Sequence, residues 1–261
     1  MTLIARYSKE NLTRPEPGLM GVTTTLHHFS IVTYAIEPDR LRPFVSPRLD
    51  LELVNIDGHP RALISAVSFL DTRFRAARFW TPSQTFCQTN YRAYVIDRET
   101  KERAVWFFGT RWARTLVLVP RFVWRLPWHH ATTTFECERD ESTGVYRRYA
   151  MRTESKWAPV DLELEGENED LRGVEGFDDD ETGQVVLTHP LRGYYYRRDG
   201  VVGTYSIWHD RLRLKRARVK RSRWGLFERL GLVNEAERDR PHSALIQATS
   251  DFTIYLPPQI A

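Results

Sequence analysis

Lysine is scarce in this chain: its 261 residues hold five, at positions 9, 101, 156, 215 and 220, against 33 arginines. Any mechanism that needs a lysine amine therefore has five candidates. Cysteine is scarcer still. Cys87 and Cys137 are alone, neither in a CxxC pair nor beside a histidine at metal-ligand spacing. That excludes a disulfide framework and leaves reduced thiols as the expectation. Long apolar runs are also missing: residues 115–119 stop at Pro120, far short of the roughly 20 residues a membrane-spanning helix needs. Residues 1–10 lack the apolar core of a signal peptide, so a cytoplasmic location is expected. No GxSxG, HExxH, Gly-rich phosphate loop or dinucleotide fingerprint occurs, and the expectation is no metal and no cofactor.

What is present is ordinary globular material, 41% hydrophobic and 28% charged, enough for one substantial core. The formal net charge of +4 conceals segregation: residues 161–181 carry eleven acids against one arginine, whereas 211–223 carry eight bases and no acid. Arg211, Arg213 and Lys215 alternate with leucines in the way Asp161, Glu163 and Glu165 do. Two neighbouring strands with complementary charged faces are expected, each exposed pair contributing roughly a few tenths of a kcal/mol. That reading is preferred to a nucleic-acid stripe, because no aromatic-interleaved recognition signature accompanies the bases. The arginine-rich apolar segments 111–124 and 224–232 are read as helices packed on the outside of a barrel rather than as membrane anchors.

Period-two alternation predicts strands at 28–36, 51–56, 61–69, 89–97, 103–110, 130–138, 146–152, 161–165, 193–198, 201–210, 212–220 and 243–255. Asp57-Gly58 and Asp199-Gly200 supply the positive φ of tight hairpins, and 97–102 forms a longer polar loop. Short helices are expected at 39–45, 111–122, 224–232 and 234–238, with the acidic stretch 165–170 as a solvated connection. With few helices to cover a sheet, the strands are expected to close into a largely antiparallel barrel, which removes unpaired edges. More than eight closed strands would leave an interior too wide for side chains to fill, hence a cavity. Residues 1–20 read as a mobile tail and 21–261 as one domain.

The most informative segment is 88–95, which places Gln88, Asn90, Arg92 and Tyr94 on one face of a strand. If that face looks inward, an amide, a guanidinium and a phenol converge on a carboxylate-sized ligand. Alternation alone does not say which face is inside. A second segment, Pro127-Trp128-His129-His130, feeds a strand whose adjacent histidines point to opposite faces. Either could be a general acid or base, or simply hydrogen-bonded in the wall.

Several pieces together resemble the uncharacterised DUF2071 (YqjF-like) family, which is remotely similar to acetoacetate decarboxylase. They are Tyr34, residues 38–49, Asp57-Gly58, residues 88–95, Ala104-Val105-Trp106-Phe107-Phe108, residues 126–131, Trp208-His209, and the close from Pro241-His242-Ser243 to Leu256-Pro257-Pro258. The resemblance implies a single antiparallel, cone-shaped β-barrel with a few short peripheral helices and an internal pocket. In the decarboxylases that pocket holds a Schiff-base lysine beside a second lysine. The comparable place here, Pro127-Trp128-His129, has no lysine, and the glutamate usual two residues before the asparagine is Gln88.

Three functions follow as expectations. The first is an unidentified small molecule held by Gln88, Asn90, Arg92 and Tyr94 against Trp106 and Trp128, without imine chemistry. The second is an enzyme using non-covalent acid–base chemistry, with His129 or His130 as proton carrier. The third is a basic surface docking on nucleic acid or membrane. The sequence does not fix an oligomeric state.

Overall fold

The computed structural model describes residues 5–112, 128–130 and 132–261, with 109–112 and 128–130 described as backbone alone. Its strands are β1 (Val22–Ile36), β2 (Leu49–Leu51), β3 (Leu53–Ile56), β4 (His59–Ala76), β5 (Gln84–Asp97), β6 (Arg103–Trp112), β7 (Trp128–His130), β8 (Thr132–Arg139), β9 (Tyr146–Glu154), β10 (Val160–Asp170), β11 (Arg192–Tyr196), β12 (Val202–His209), β13 (Lys215–Trp224) and β14 (Ser243–Ile260). Threonine and β-branched residues dominate β1, as a pleated, half-buried surface favours. The order β1-β4-β5-β6-β11-β12-β14 closes because β14 also pairs with β1. Seven strands therefore form a closed barrel, not the more than eight expected, and the pairing is mixed, since β11 and β7 both run parallel to β6. Beyond the barrel, β14 passes the sheet to β13, β10, β9 and β8.

Alternation along the barrel strands feeds two cores. One set, including Leu26, Phe29, Ile31, Val67, Phe69 and Phe107, fills the barrel. The other, including Val32, Tyr34, Tyr91, Ala93 and Trp106, lies on the opposite faces and packs with Tyr149, Leu162, Leu164 and Phe227 of the extension and its adjoining helix. A bulge maintains the inward set on β1. Leu26 and Phe29 are three apart and could not both face inward on a regular strand, but the register with β4 shifts between His27 and Ser30, where His28 takes φ 49°. Histidine tolerates that left-handed backbone better than a β-branched residue would.

The charged segments pair as expected, in a shifted register. Asp161, Glu163 and Glu165 lie opposite Arg223, Arg221 and Arg218, with ion pairs from Arg221 to Asp161 (2.9 Å) and from Arg218 to Glu165 (2.7 Å). Arg211 and Arg213 precede β13 and stay outside this ladder.

Other local expectations are corrected. Asp57 and Gly58 both take positive φ, whereas at Asp199-Gly200 only the glycine does. Arg111 and Trp112 belong to β6 rather than to a helix, while 113–122 lie outside the described residues. The helix around 224–232 is confined to Gly225–Arg229, and 234–238 forms turns. The acidic region is partly β10 and partly a helix, Asp180–Thr188, that the sequence reading missed. Asp179 caps it by accepting from the Thr182 N–H at 2.9 Å, and acids in its first turn suit the helix dipole. From residue 5 onward the N-terminal segment makes contacts with the rest of the chain. Arg6 forks onto Asp179 at 2.6 and 2.9 Å, the Tyr7 N–H donates to Glu181, and Tyr255 donates its hydroxyl to the Pro15 carbonyl.

Candidate functional site

Inside the barrel lies a cavity of about 80 Å³, with Leu26, Phe29, Ile31, Val67 and Phe69 among its apolar walls. It is the space of a few water molecules or one small metabolite. Larger depressions, such as one of about 440 Å³ beside Arg172, Arg211 and Arg213, lie among charged side chains. The barrel cavity has the mark of a ligand site, an apolar wall with a few convergent polar groups.

The polar groups come from four strands and one helix end. From β5 come Gln88, Asn90 and Arg92; β4 supplies Asp71, β1 Thr24, β12 Tyr205 and His209, and the helix its last residue, Thr188. The face of β5 left open by the alternation is therefore the inner one. Gln88 Nε2 donates to Asn90 Oδ1 at 2.8 Å, which leaves the Asn90 amide hydrogens for other acceptors.

Arg92 is 8% exposed. Its Nε donates to Ser65 Oγ at 2.9 Å, and one Nη donates to the Tyr94 hydroxyl at 3.2 Å and to the Leu187 carbonyl at 3.0 Å. Tyr94 passes its own hydrogen to the same carbonyl at 2.9 Å. Tyr94 thus positions the guanidinium rather than lining the cavity. All these acceptors are neutral, and among the described residues no carboxylate pairs with Arg92. A buried cation without a counter-ion is costly.

Asp71 is 2% exposed, and burial pushes its carboxyl up to about 8, the Thr24 hydroxyl opposing only in part. Thr24 Oγ1 lies 2.8 Å from Asp71 Oδ1 and 3.0 Å from the Thr72 carbonyl. A hydroxyl has one hydrogen, so both contacts are satisfied together only when Asp71 carries the proton and donates it to Thr24. His209 is 2% exposed, and burial, then the charges of His189 and Arg92, push it down to about 3. Both cysteine thiols are pushed up by burial, Cys87 to about 11 and Cys137 to about 12, the opposite of an activated nucleophile.

The remaining expected site residues fall elsewhere. Trp106 pairs with Ala93, one residue out of phase with Arg92, so it faces the outer core against Tyr196 instead of the cavity. Trp128, His129 and His130 form β7, whose backbone lies opposite 110–112 of β6, and their side chains lie outside the described part. Asp71 and His209 were not among the expected site residues, although Trp208-His209 is one of the pieces that carry the resemblance. Parity was a further signal: Asp71 keeps step with Val67 and Phe69, His209 with Tyr205 and Ile207. None of the five lysines lines the cavity, and among the described residues no metal-type cluster occurs.

Fold and site together define a closed-barrel protein with a small interior cavity that holds an arginine with no carboxylate partner among the described residues. The chain belongs to DUF2071, a family of uncharacterised conserved proteins whose sequence pattern matches residues 23–251. An acetoacetate decarboxylase-like enzyme from Sphingomonas wittichii RW1 is similar with a TM-score of 0.59 at 10% identity, over 94% of both chains. The enduracididine biosynthesis enzyme MppR complexed with pyruvate gives 0.58 at 10% identity, over 98% of this chain and 97% of its own. Acetoacetate decarboxylase from Legionella pneumophila gives 0.52 at 9% identity, over 97% and 94%. At such identities the likeness shows the fold alone. No curated protein matches the chain, and no helix among the described residues is long and apolar enough to cross a membrane.

Proposed function

We propose that this protein binds a small monocarboxylate inside the barrel, with Arg92 as the anchor, and that it does so without forming an imine. The observation that carries the reading is the Arg92 guanidinium, buried, lining the cavity and, among the described residues, bonded only to neutral oxygens. A carboxylate supplies the missing charge and suits the planar fork. The cavity limits the ligand to a few carbons. MppR, of the same fold, holds pyruvate, itself a small carboxylate.

The test is calorimetric titration with acetate, pyruvate, glycolate and lactate. At least one is expected to bind wild-type protein, and Arg92→Gln is expected to weaken it at least 100-fold while the protein stays folded. Equal binding by the variant would end the reading. Imine chemistry is tested separately. Lys215 reaches Asn168 and Lys220 reaches Glu165, both away from the cavity. Borohydride reduction in the presence of acetoacetate is therefore expected to leave the mass of the chain unchanged, and a trapped adduct on any lysine would contradict this.

A second reading, non-covalent proton transfer in the same cavity, rests on Asp71, a wall carboxyl that keeps its proton at neutral pH.

A further inference from the structure

We infer that the ligand of the barrel cavity is a small 2-hydroxycarboxylate, its carboxylate on Arg92 and its hydroxyl donating to Nε2 of His209. This rests on the carboxylate reading above and sharpens it, because Arg92 alone would accept any small acid.

The argument is one of donors and acceptors. His209 Nδ1 lies 2.8 Å from the carbonyl oxygen of Asp210. A carbonyl only accepts, so Nδ1 carries the hydrogen, and in the neutral ring Nε2 presents a lone pair. The surroundings keep the ring neutral. Phe252 of β14 lies against it with ring centroids 4.5 Å apart, and His189, just past the helix, meets it edge-on at 4.8 Å. The charged group facing it from β5 is Arg92, which disfavours a second positive charge. The carboxylate of Asp210, the nearest acid in sequence, is turned to the Arg211 N–H at 2.7 Å. No described side chain donates to Nε2.

A molecule on Arg92 therefore meets an acceptor in the same small cavity. A hydroxyl beside the carboxylate satisfies it, whereas the keto oxygen of a 2-oxo acid brings one lone pair against another. Acetate leaves Nε2 unpaired. Sites built around a ligand hydroxyl discriminate strongly against analogues that lack it.

The test is calorimetric titration of the whole chain at pH 7 with glycolate, D-lactate, L-lactate, pyruvate and acetate. The expected result is that glycolate or one lactate binds at least tenfold more tightly than pyruvate and acetate. In His209→Phe, which keeps an aromatic ring against Phe252, the ratio is expected to fall to near one. In His209→Gln, whose amide also donates, pyruvate is expected to rise towards the hydroxy acid, so the idea does not depend on one variant folding. Pyruvate or acetate binding wild type as tightly as the hydroxy acids would overturn the inference and leave the carboxylate reading intact. Failure of all five to bind would overturn both.

Discussion

The folding stability of wild-type protein relative to Asp71→Asn, measured by urea denaturation of both, is expected to fall between pH 5 and pH 8. The fold raises the Asp71 carboxyl from its unfolded value near 4 to about 8. Between those values the native state holds a proton that the unfolded chain has released, so stability declines with rising pH, on the order of 1.4 kcal/mol per unit. The decline levels off once the native carboxyl also ionises, above about 8. The histidines act in the other direction. Burial lowers His28, His189, His209 and His242, so their contribution is lost as the medium turns acid and the unfolded chain takes up their protons. Both proteins share that contribution, so the difference between them isolates Asp71. Asparagine keeps a donor for Thr24 and cannot ionise, so the variant should exceed wild type at pH 9 by several kcal/mol. A difference between the two proteins that stayed level from pH 5 to pH 8 would mean that Asp71 is not buried as a neutral acid.

The second large effect is expected at Asp97→Ala, which should lose about 3–5 kcal/mol at neutral pH. Asp97 ends β5 with its side chain fully buried. One carboxylate oxygen accepts from the N–H groups of Glu99 (2.8 Å) and Thr100 (3.1 Å), closing the turn towards β6. The other takes the Tyr194 hydroxyl of β11 at 2.7 Å and Arg48 Nε at 3.3 Å. Burial works against this charge, but Tyr194, the two backbone donors and Arg48 outweigh it and hold the group at about 2. Its stabilisation is therefore complete above pH 4 and lost as pH falls towards 2. Asp97→Asn keeps the turn contacts while setting an amide against Tyr194 and Arg48, and should fall between the two. If alanine cost under 1 kcal/mol, the tie between the β5–β6 turn and β11 would be energetically empty.

Barrel residues read from the sequence succeed where the rule is local. The Asp57-Gly58 hairpin needs only two left-handed residues in a row, and both take them. The acidic and basic segments needed only matching alternation, and they pair as β10 and β13, though displaced because Arg211 and Arg213 lie before the strand begins. Where the reading went wrong, a tertiary partner decided. The helix Asp180–Thr188 sits in a run of acids that looks solvated, yet its Val186 and Leu187 are buried against the barrel interior and its Leu187 carbonyl receives Arg92. Trp106 is expected beside Arg92, but the pairing of β5 with β6 sets it opposite Ala93 and so on the other face of the sheet.

The sequence by itself determined the strand-rich character, the sharing of one face by Gln88, Asn90, Arg92 and Tyr94, and the shortage of lysine that argues against an imine. Each depends on residue identity or on neighbours a few positions away. Only the tertiary structure decided which face is the inside, because alternation is unchanged when a strand is turned over and the choice falls when β14 closes onto β1. The same closure brought together Asp71, Arg92 and His209 from three separate strands. It also removed enough solvent for one carboxyl to keep its proton and one imidazole to lose it.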